Sequence, residues 1–152
     1  MAAMENLMSN DNDSRVVVSR VAVTGGRDFR DRQFVYDTLD LVSWFLKSRG
    51  TTKFEIIHGE AKGVDAFARQ WAVDNGITHI PFPARWQDHG RSAGPIRNRE
   101  MLMSGVSWLI AFPGGRGTAN AVKTAESLGI IVYQVGLSID GKPEVVGIKK
   151  GD

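Results

Sequence analysis

Four times along this 152-residue chain a short apolar run breaks into a polar or glycine-bearing turn and gives way to helical periodicity. No other feature of the sequence narrows the fold as far. The first run, Arg15 to Thr24, is β-branched and nearly unbroken, as in a strand buried on both faces of a parallel sheet, and it ends in Gly25-Gly26-Arg27-Asp28. From Asp31 to Ser48 the period changes. Val35, Leu39, Val42 and Leu46 form the stripe of an amphipathic helix that Arg49-Gly50 closes. Phe54 to His58 is a second strand, entering the turn Gly59-Glu60-Ala61-Lys62-Gly63. The helix after it carries Val64, Phe67, Ala68, Trp71 and Ala72 on one face and stops at Asn75-Gly76. Ile77 to Phe82 is a third strand and Pro83 to Ala93 a long polar loop, of the kind that is usually functional or mobile. Gly94-Pro95-Ile96 opens a third helix running to about Ser104. Val106 to Ile110 is the fourth strand, followed by Ala111 to Thr118 as a glycine turn and by a helix from Ala119 to Leu128, with Gly129 as its stop. Ile130 to Val135 is the fifth strand.

Five strands separated by four helices, each connection long enough for a right-handed crossover, imply an α/β fold. The expected architecture is an open parallel sheet in the order 3-2-1-4-5 with helices on both faces. The length suits one core and is too short for two ordinary domains. Residues 1–14 are expected to be a flexible tail, 15–136 the α/β domain, and 137–152 a small hairpin or tail around the turn Asp140-Gly141. The polar, acidic N-terminus is unlike a secretory signal, and no apolar run approaches the roughly 18 residues of a membrane span. With no cysteine, disulfides and thiolate chemistry are excluded, and a cytoplasmic, non-membrane setting is expected. The 19 basic and 17 acidic side chains nearly balance, so net charge gives no argument for nucleic acid. Local clustering of Arg85, Arg91, Arg97 and Arg99 leaves that partner open.

In a parallel sheet the strand-to-helix turns gather on one edge, and the order 3-2-1-4-5 sets the two Gly-Gly-Arg turns side by side at the crevice where strand order reverses. The turn Pro113-Gly114-Gly115-Arg116-Gly117-Thr118 leads from strand to helix, where unpaired backbone N–H groups and the helix dipole favour an anion. Gly25 and Gly26 are expected to add donors from the first turn, Thr118 a hydroxyl, and Arg27 and Arg116 forked charged donors. Either arginine can instead be a solvated surface side chain. Gly59 belongs to the same edge. Asp65, in the first turn of the second helix, suits that position electrostatically, and its carboxylate can bond ribose hydroxyls or a loop shaping the pocket. His58 can titrate near neutrality or satisfy a local hydrogen bond, and Glu60 is a general base only if a substrate proton lies within reach. Arg97 and Asn98 open the third helix, where Arg97 can reach a phosphate or a sugar. Trp86 either stacks on a base or anchors its loop; Trp44, Trp71 and Trp108 fall at core positions of their elements. His79 and His89 have no partners at metal-ligand spacing, so neither a metal nor a cofactor is argued.

Together these motifs resemble the SLOG superfamily, most closely its YspA-like branch. The matching pieces are Gly25-Gly26-Arg27-Asp28-Phe29, His58 through Asp65, Ala93 through Asn98, and Phe112 through Thr118, in family order over roughly Val16 to Val135. The resemblance implies a Rossmann-like fold, a pocket for a nucleotide or nucleotide-derived ligand, and homo-oligomers, with a dimer favoured. Within the superfamily the lonely-guy phosphoribohydrolases have an Arg ahead of a Met, then Pro-Gly-Gly-x-Gly-Thr-x-x-Glu. Arg97 and Met101 match the first part and Pro113 to Thr118 the second, but Ala121 stands where the final Glu belongs. Three functions follow as expectations. The first is binding, for sensing or sequestration, of a phosphate-bearing nucleotide or nucleotide-derived ligand. The second is N-glycosidic hydrolysis of nucleoside monophosphates with Arg97, Glu60 or Asp65 as candidate catalytic groups. The third is single-stranded nucleic-acid binding of the DprA type.

Overall fold

A computed structural model describes residues 16–140 and 142–149 of the chain. The expected tail, residues 1–14, Arg15 of the first strand and Gly141 of the hairpin turn lie outside the described residues.

Six strands form one sheet: β1 (Val18–Thr24), β2 (Lys53–His58), β3 (Thr78–Pro81), β4 (Trp108–Ala111), β5 (Ile131–Leu137) and β6 (Pro143–Lys149). Their order is β3-β2-β1-β4-β5-β6, with β1 to β5 mutually parallel and β6 antiparallel to β5. The parallel part has the expected order. The C-terminal hairpin differs in its first arm, because β5 itself continues through Leu137 and turns back into β6, which extends the main sheet at its edge.

The helices are α1 (Arg32–Ser48), α2 (Val64–Asp74), α3 (Trp86–His89), α4 (Ala93–Leu102) and α5 (Arg116–Ser127). Alternation along the strands divides the core. Val21 and Val23 of β1, Ile56 of β2 and Ile110 of β4 pack under α1 and α2, against Phe34, Val35, Leu39, Ala68 and Trp71. Ala22, Ile57, Leu109 and Val132 face the other way, against Met101 and Leu102 of α4 and Ala121, Val122 and Ala125 of α5. Both faces of the central strands are covered, so their sequences are continuously apolar instead of alternating. Asp31 starts α1 by accepting the Phe34 N–H at 3.0 Å, a cap worth about 1 kcal/mol.

The polar stretch 83–93 is more ordered than its composition suggests. It holds the single turn α3 and a 3₁₀ turn, Gly90–Ser92, which leads directly into α4. Local bonds make this possible: Asp88 and His89 N–H both return to Arg85 O. Among the tryptophans only Trp71 is a full core residue, its indole N–H donating to Asp40 of α1 at 2.9 Å. Trp108 is half-buried. Trp44 is a correction to the sequence reading, being 69% exposed. It lies off the Val35–Leu39–Leu46 stripe and, with Leu41, Phe45, Val145 and Ile148, borders an apolar groove of about 410 Å³ beside β6.

Candidate functional site

Parallel pairing puts the C-terminal ends of β1, β2 and β4 on one edge, and the turns that follow enclose a cleft of about 800 Å³. Gly25, Gly26 and Arg27 line it from the β1 turn, Gly59, Glu60 and Asp65 from the β2 turn and α2. Arg97 and Asn98 come from α4, and Pro113 through Thr118 from the β4 turn and the start of α5. Every contact residue expected from the sequence therefore borders one cavity. Of the four arginines between 85 and 99, only Arg97 is on its wall. Trp86, half exposed, stands on the rim with its indole edge beside Gly94.

Glycines let the turns touch. A Cβ on Gly114 would lie 2.2 Å from Thr118 Oγ1 and 2.8 Å from Gly26 N, and one on Gly63 would lie 2.2 Å from Gly26 O. Gly63 also has φ of +73°, a conformation that a side chain disfavours. The β1 turn is bonded to its neighbours as well as packed against them: Gly26 N–H donates to Pro113 O at 2.8 Å, and Val64 N–H to Gly26 O at 3.3 Å. Gly26 thus has a different role from the one expected. Its amide holds the β4 turn and does not face an anion. Beneath both turns Phe29, Phe34 and Phe112 form an aromatic trio, with centroids 5.8 to 6.2 Å apart. Phe29 follows one diglycine and Phe112 precedes the other, so the trio fixes their separation.

The open amides belong to α5. Its N-cap is Gly115, which brings no side-chain acceptor, and its first-turn N–H groups have no carbonyl one turn back. A Cβ on Gly115 or on Gly117 would meet nothing within 4 Å. Arg27 and Arg116 are exposed at the cleft wall. Asn98 steadies the helix start, donating to Gly117 O at 3.2 Å and to Asn120 Oδ1 at 3.0 Å.

The turn after β2 is pinned on every side. Gly59 and Ala61 N–H both donate to Asp65 Oδ2, at 3.1 and 3.2 Å, Glu60 N–H donates to His58 Nδ1 at 3.1 Å, and the Arg97 guanidinium donates to Gly59 O. Of the two roles open to Asp65, it takes that of shaping the loop. Burial pushes its pKa up, against the opposing pull of the Ala61 N–H, Arg97, the Gly59 N–H and Arg27. Burial also lowers the Arg97 pKa, with Asp65 opposing. Glu60 sits in the left-handed region at φ +59°, a strain of about 1–2 kcal/mol that the four bonds hold in place.

His58 is wholly buried. Because a backbone N–H occupies its Nδ1, its proton in the neutral ring sits on Nε2, 3.0 Å from Nδ1 of His79, on which it stacks. Desolvation, then electrostatic repulsion from His79, Arg69 and Arg97, lowers its pKa to about 4. It is a buried structural acceptor and does not titrate near neutrality. His79 was missed as its partner because the β2–β3 register, which pairs Ile56 with His79 and His58 with Pro81, is not written in local sequence. Asp28 and Phe29 of the first motif and Pro83 and Ala84 of the long loop also join the wall, although none is among the contact residues expected from the sequence. Ala121, at the position of the lonely-guy glutamate, is fully buried in the α4–α5 core. Among the described residues no group of three His, Asp or Glu is placed to hold a metal ion, and no helix is long and apolar enough to cross a membrane.

The model of YAcAr, the YspA, cpYpsA-related SLOG family, matches residues 19–89, which span the first two turns. The Gene 61 protein of Mycobacterium phage D29 is 36% identical over 125 residues, covering 77% of this chain and 96% of that protein. Among solved structures the chain is similar to the structural-genomics target TM1055, with a TM-score of 0.55 and 18% identity over 74% of this chain and 71% of the other, which supports the Rossmann-like fold. PaaA aligns more loosely, with a TM-score of 0.42 and 14% identity over 88% of this chain and 44% of that one. With the matched motifs gathered on one cleft and a relative of this identity spanning most of its length, the chain belongs to the YspA, cpYpsA-related SLOG family.

Proposed function

We propose that the cleft binds a phosphate-bearing nucleotide or nucleotide-derived ligand, so that the protein senses or sequesters it. The observation that carries this reading is the open start of α5. Uncapped amides, the positive end of the helix dipole, and the exposed Arg27 and Arg116 share one cavity large enough for a small ligand. Thr118 adds a hydroxyl beside Gly114, and Trp86 offers an aromatic face at the rim. Family membership supports a nucleotide-related ligand. Binding is favoured over glycosidic hydrolysis because Ala121 supplies no carboxylate and Asp65 is committed to two backbone N–H groups, which of the two candidate carboxylates on the cleft wall leaves only Glu60. Binding is favoured over nucleic acid because Arg85, Arg91 and Arg99 are off the cleft wall.

The test is calorimetric titration with the four ribonucleoside monophosphates and diphosphates, followed by mass analysis of the recovered ligand. Saturable binding with the nucleotide recovered intact is expected. Release of free base and ribose 5-phosphate would replace this reading with the hydrolase. Tight binding of single strands with steep salt dependence, and none of nucleotides, would replace it with the nucleic-acid partner.

A further inference from the structure

The α5 start is not the blind end of the cleft. A second cavity of about 680 Å³ opens on its far side, between α5 and the middle of β5 and β6. Pro113, Gly114, Gly115 and Thr118 line both cavities. The anion cradle is therefore a ridge between two chambers. No side chain crowns it, since a Cβ on Gly115 would have open space around it. Each chamber has the volume of an ordinary small-ligand site. A terminal phosphate on the ridge uses only the first.

The second chamber has its own chemistry. Val122, Val135 and Val146 give it aliphatic walls, while the exposed Lys123, the Glu126 carboxylate and the Gln134 amide give it polar groups of both charges. Such a lining suits a sugar or ring with an apolar face and hydroxyl groups at its edge. We propose that the ligand is two-headed: a pyrophosphate lies across the Gly114–Gly115 ridge, each of its phosphorus atoms esterified to one nucleoside, with one nucleoside in each chamber. This rests on the binding function proposed above and specifies its ligand class.

The test compares each nucleoside monophosphate with the matching symmetrical dinucleoside diphosphate by calorimetry, on the wild type, Ala119→Trp and Gly115→Val. Ala119 is exposed on the second chamber's wall, so an indole there fills it without entering the core. For whichever base binds, the two-headed compound should bind at least about tenfold more tightly than its monophosphate. Ala119→Trp should bring the two affinities together, and Gly115→Val should weaken both, with melting curves reporting that each variant folds. Equal or weaker binding of the two-headed compound by the wild type would overturn the bridging arrangement. So would an Ala119→Trp effect that falls equally on both ligands, and in either case nucleotide binding would stand. Failure of every compound to bind would sink both proposals.

Discussion

Gly114 and Gly115 are adjacent, yet they tolerate different things. A methyl group at Gly114 must displace Thr118 Oγ1 or part the two turns, whereas one at Gly115 projects into open space. Gly114→Ala should therefore cost about 1–3 kcal/mol, in the range of overpacked sites, and Gly115→Ala less than about 1 kcal/mol, read by urea denaturation. Equal losses would mean that the turns are not packed as described. His58 makes a second residue-level prediction. Its pKa is about 4 in the folded chain against 6.5 in the unfolded one. Between those values the unfolded chain binds the extra proton, so stability is complete above pH 6.5 and declines as the pH falls toward 4, by about 3 kcal/mol. Asp65 acts oppositely, because its raised pKa favours the folded state as acid is added. The readout is hence the difference between wild type and His58→Gln, in which Asp65 cancels. The wild type should lose ground to the variant as the pH drops through this window, and parallel pH profiles would contradict a buried neutral ring.

Among elements, the β2–α2 turn shows how a carboxylate can matter without its charge. Both Gly59 and Ala61 donate to the same oxygen of Asp65, so an amide oxygen can replace it, and burial already disfavours the ionised form. Asp65→Asn should keep stability within about 1 kcal/mol at neutral pH, whereas Asp65→Ala, which leaves two N–H groups unsatisfied, should cost about 2 kcal/mol or more. A loss in Asn as large as in Ala would assign the turn to charge and not to hydrogen bonding. The elements that were legible in sequence are those whose period is set by burial on the central sheet. The runs ending at Thr24, His58 and Ile110 and the stripe Val35–Leu39–Leu46 announced β1, β2, β4 and α1. Less legible were elements held by local bonding or by an edge. The single turn α3 depends on two bonds to Arg85 O, and β6, with Val145, Val146 and Ile148 exposed, has no buried face to impose a pattern. Trp44 was misplaced for a related reason: a large side chain adjoining the stripe looks like core, although it lies off that stripe, at the border of the groove beside β6. Trp44→Lys should accordingly leave stability within about 0.5 kcal/mol, against several for Trp71→Ala, by the same denaturation measurement. The cleft was legible because glycine turns at strand ends are forced together by parallel topology. The allocation of its amides was not, since whether Gly26 N–H faces Pro113 O or a ligand depends on the distance between two turns far apart in sequence.

For the whole molecule, the cleft joins walls contributed by three strand ends and the starts of α2, α4 and α5 that meet only in the folded chain, so a ligand seated there should stabilise the fold by mass action. At about 100 times its dissociation constant the gain is about 2.7 kcal/mol, which slows exchange of every amide that requires global unfolding. Amides that exchange through local opening distinguish the site itself. The α5 start should respond most strongly, because the N–H groups of Arg116 through Thr118 pass from solvent to the ligand's oxygens. Gly59 to Ala61 should respond less, their N–H groups already being held by His58 and Asp65. The outer face of α1 around Leu41 to Phe45, across the sheet from α5, should show only the global effect. Hydrogen exchange followed by mass spectrometry, with and without the tightest-binding nucleotide, resolves these segments. Protection centred on Leu41 to Phe45 instead would move the ligand to the apolar groove. Protection of Gly59 to Ala61 without the α5 start would leave the helix amides with no part in binding, and the anion cradle would have to be abandoned.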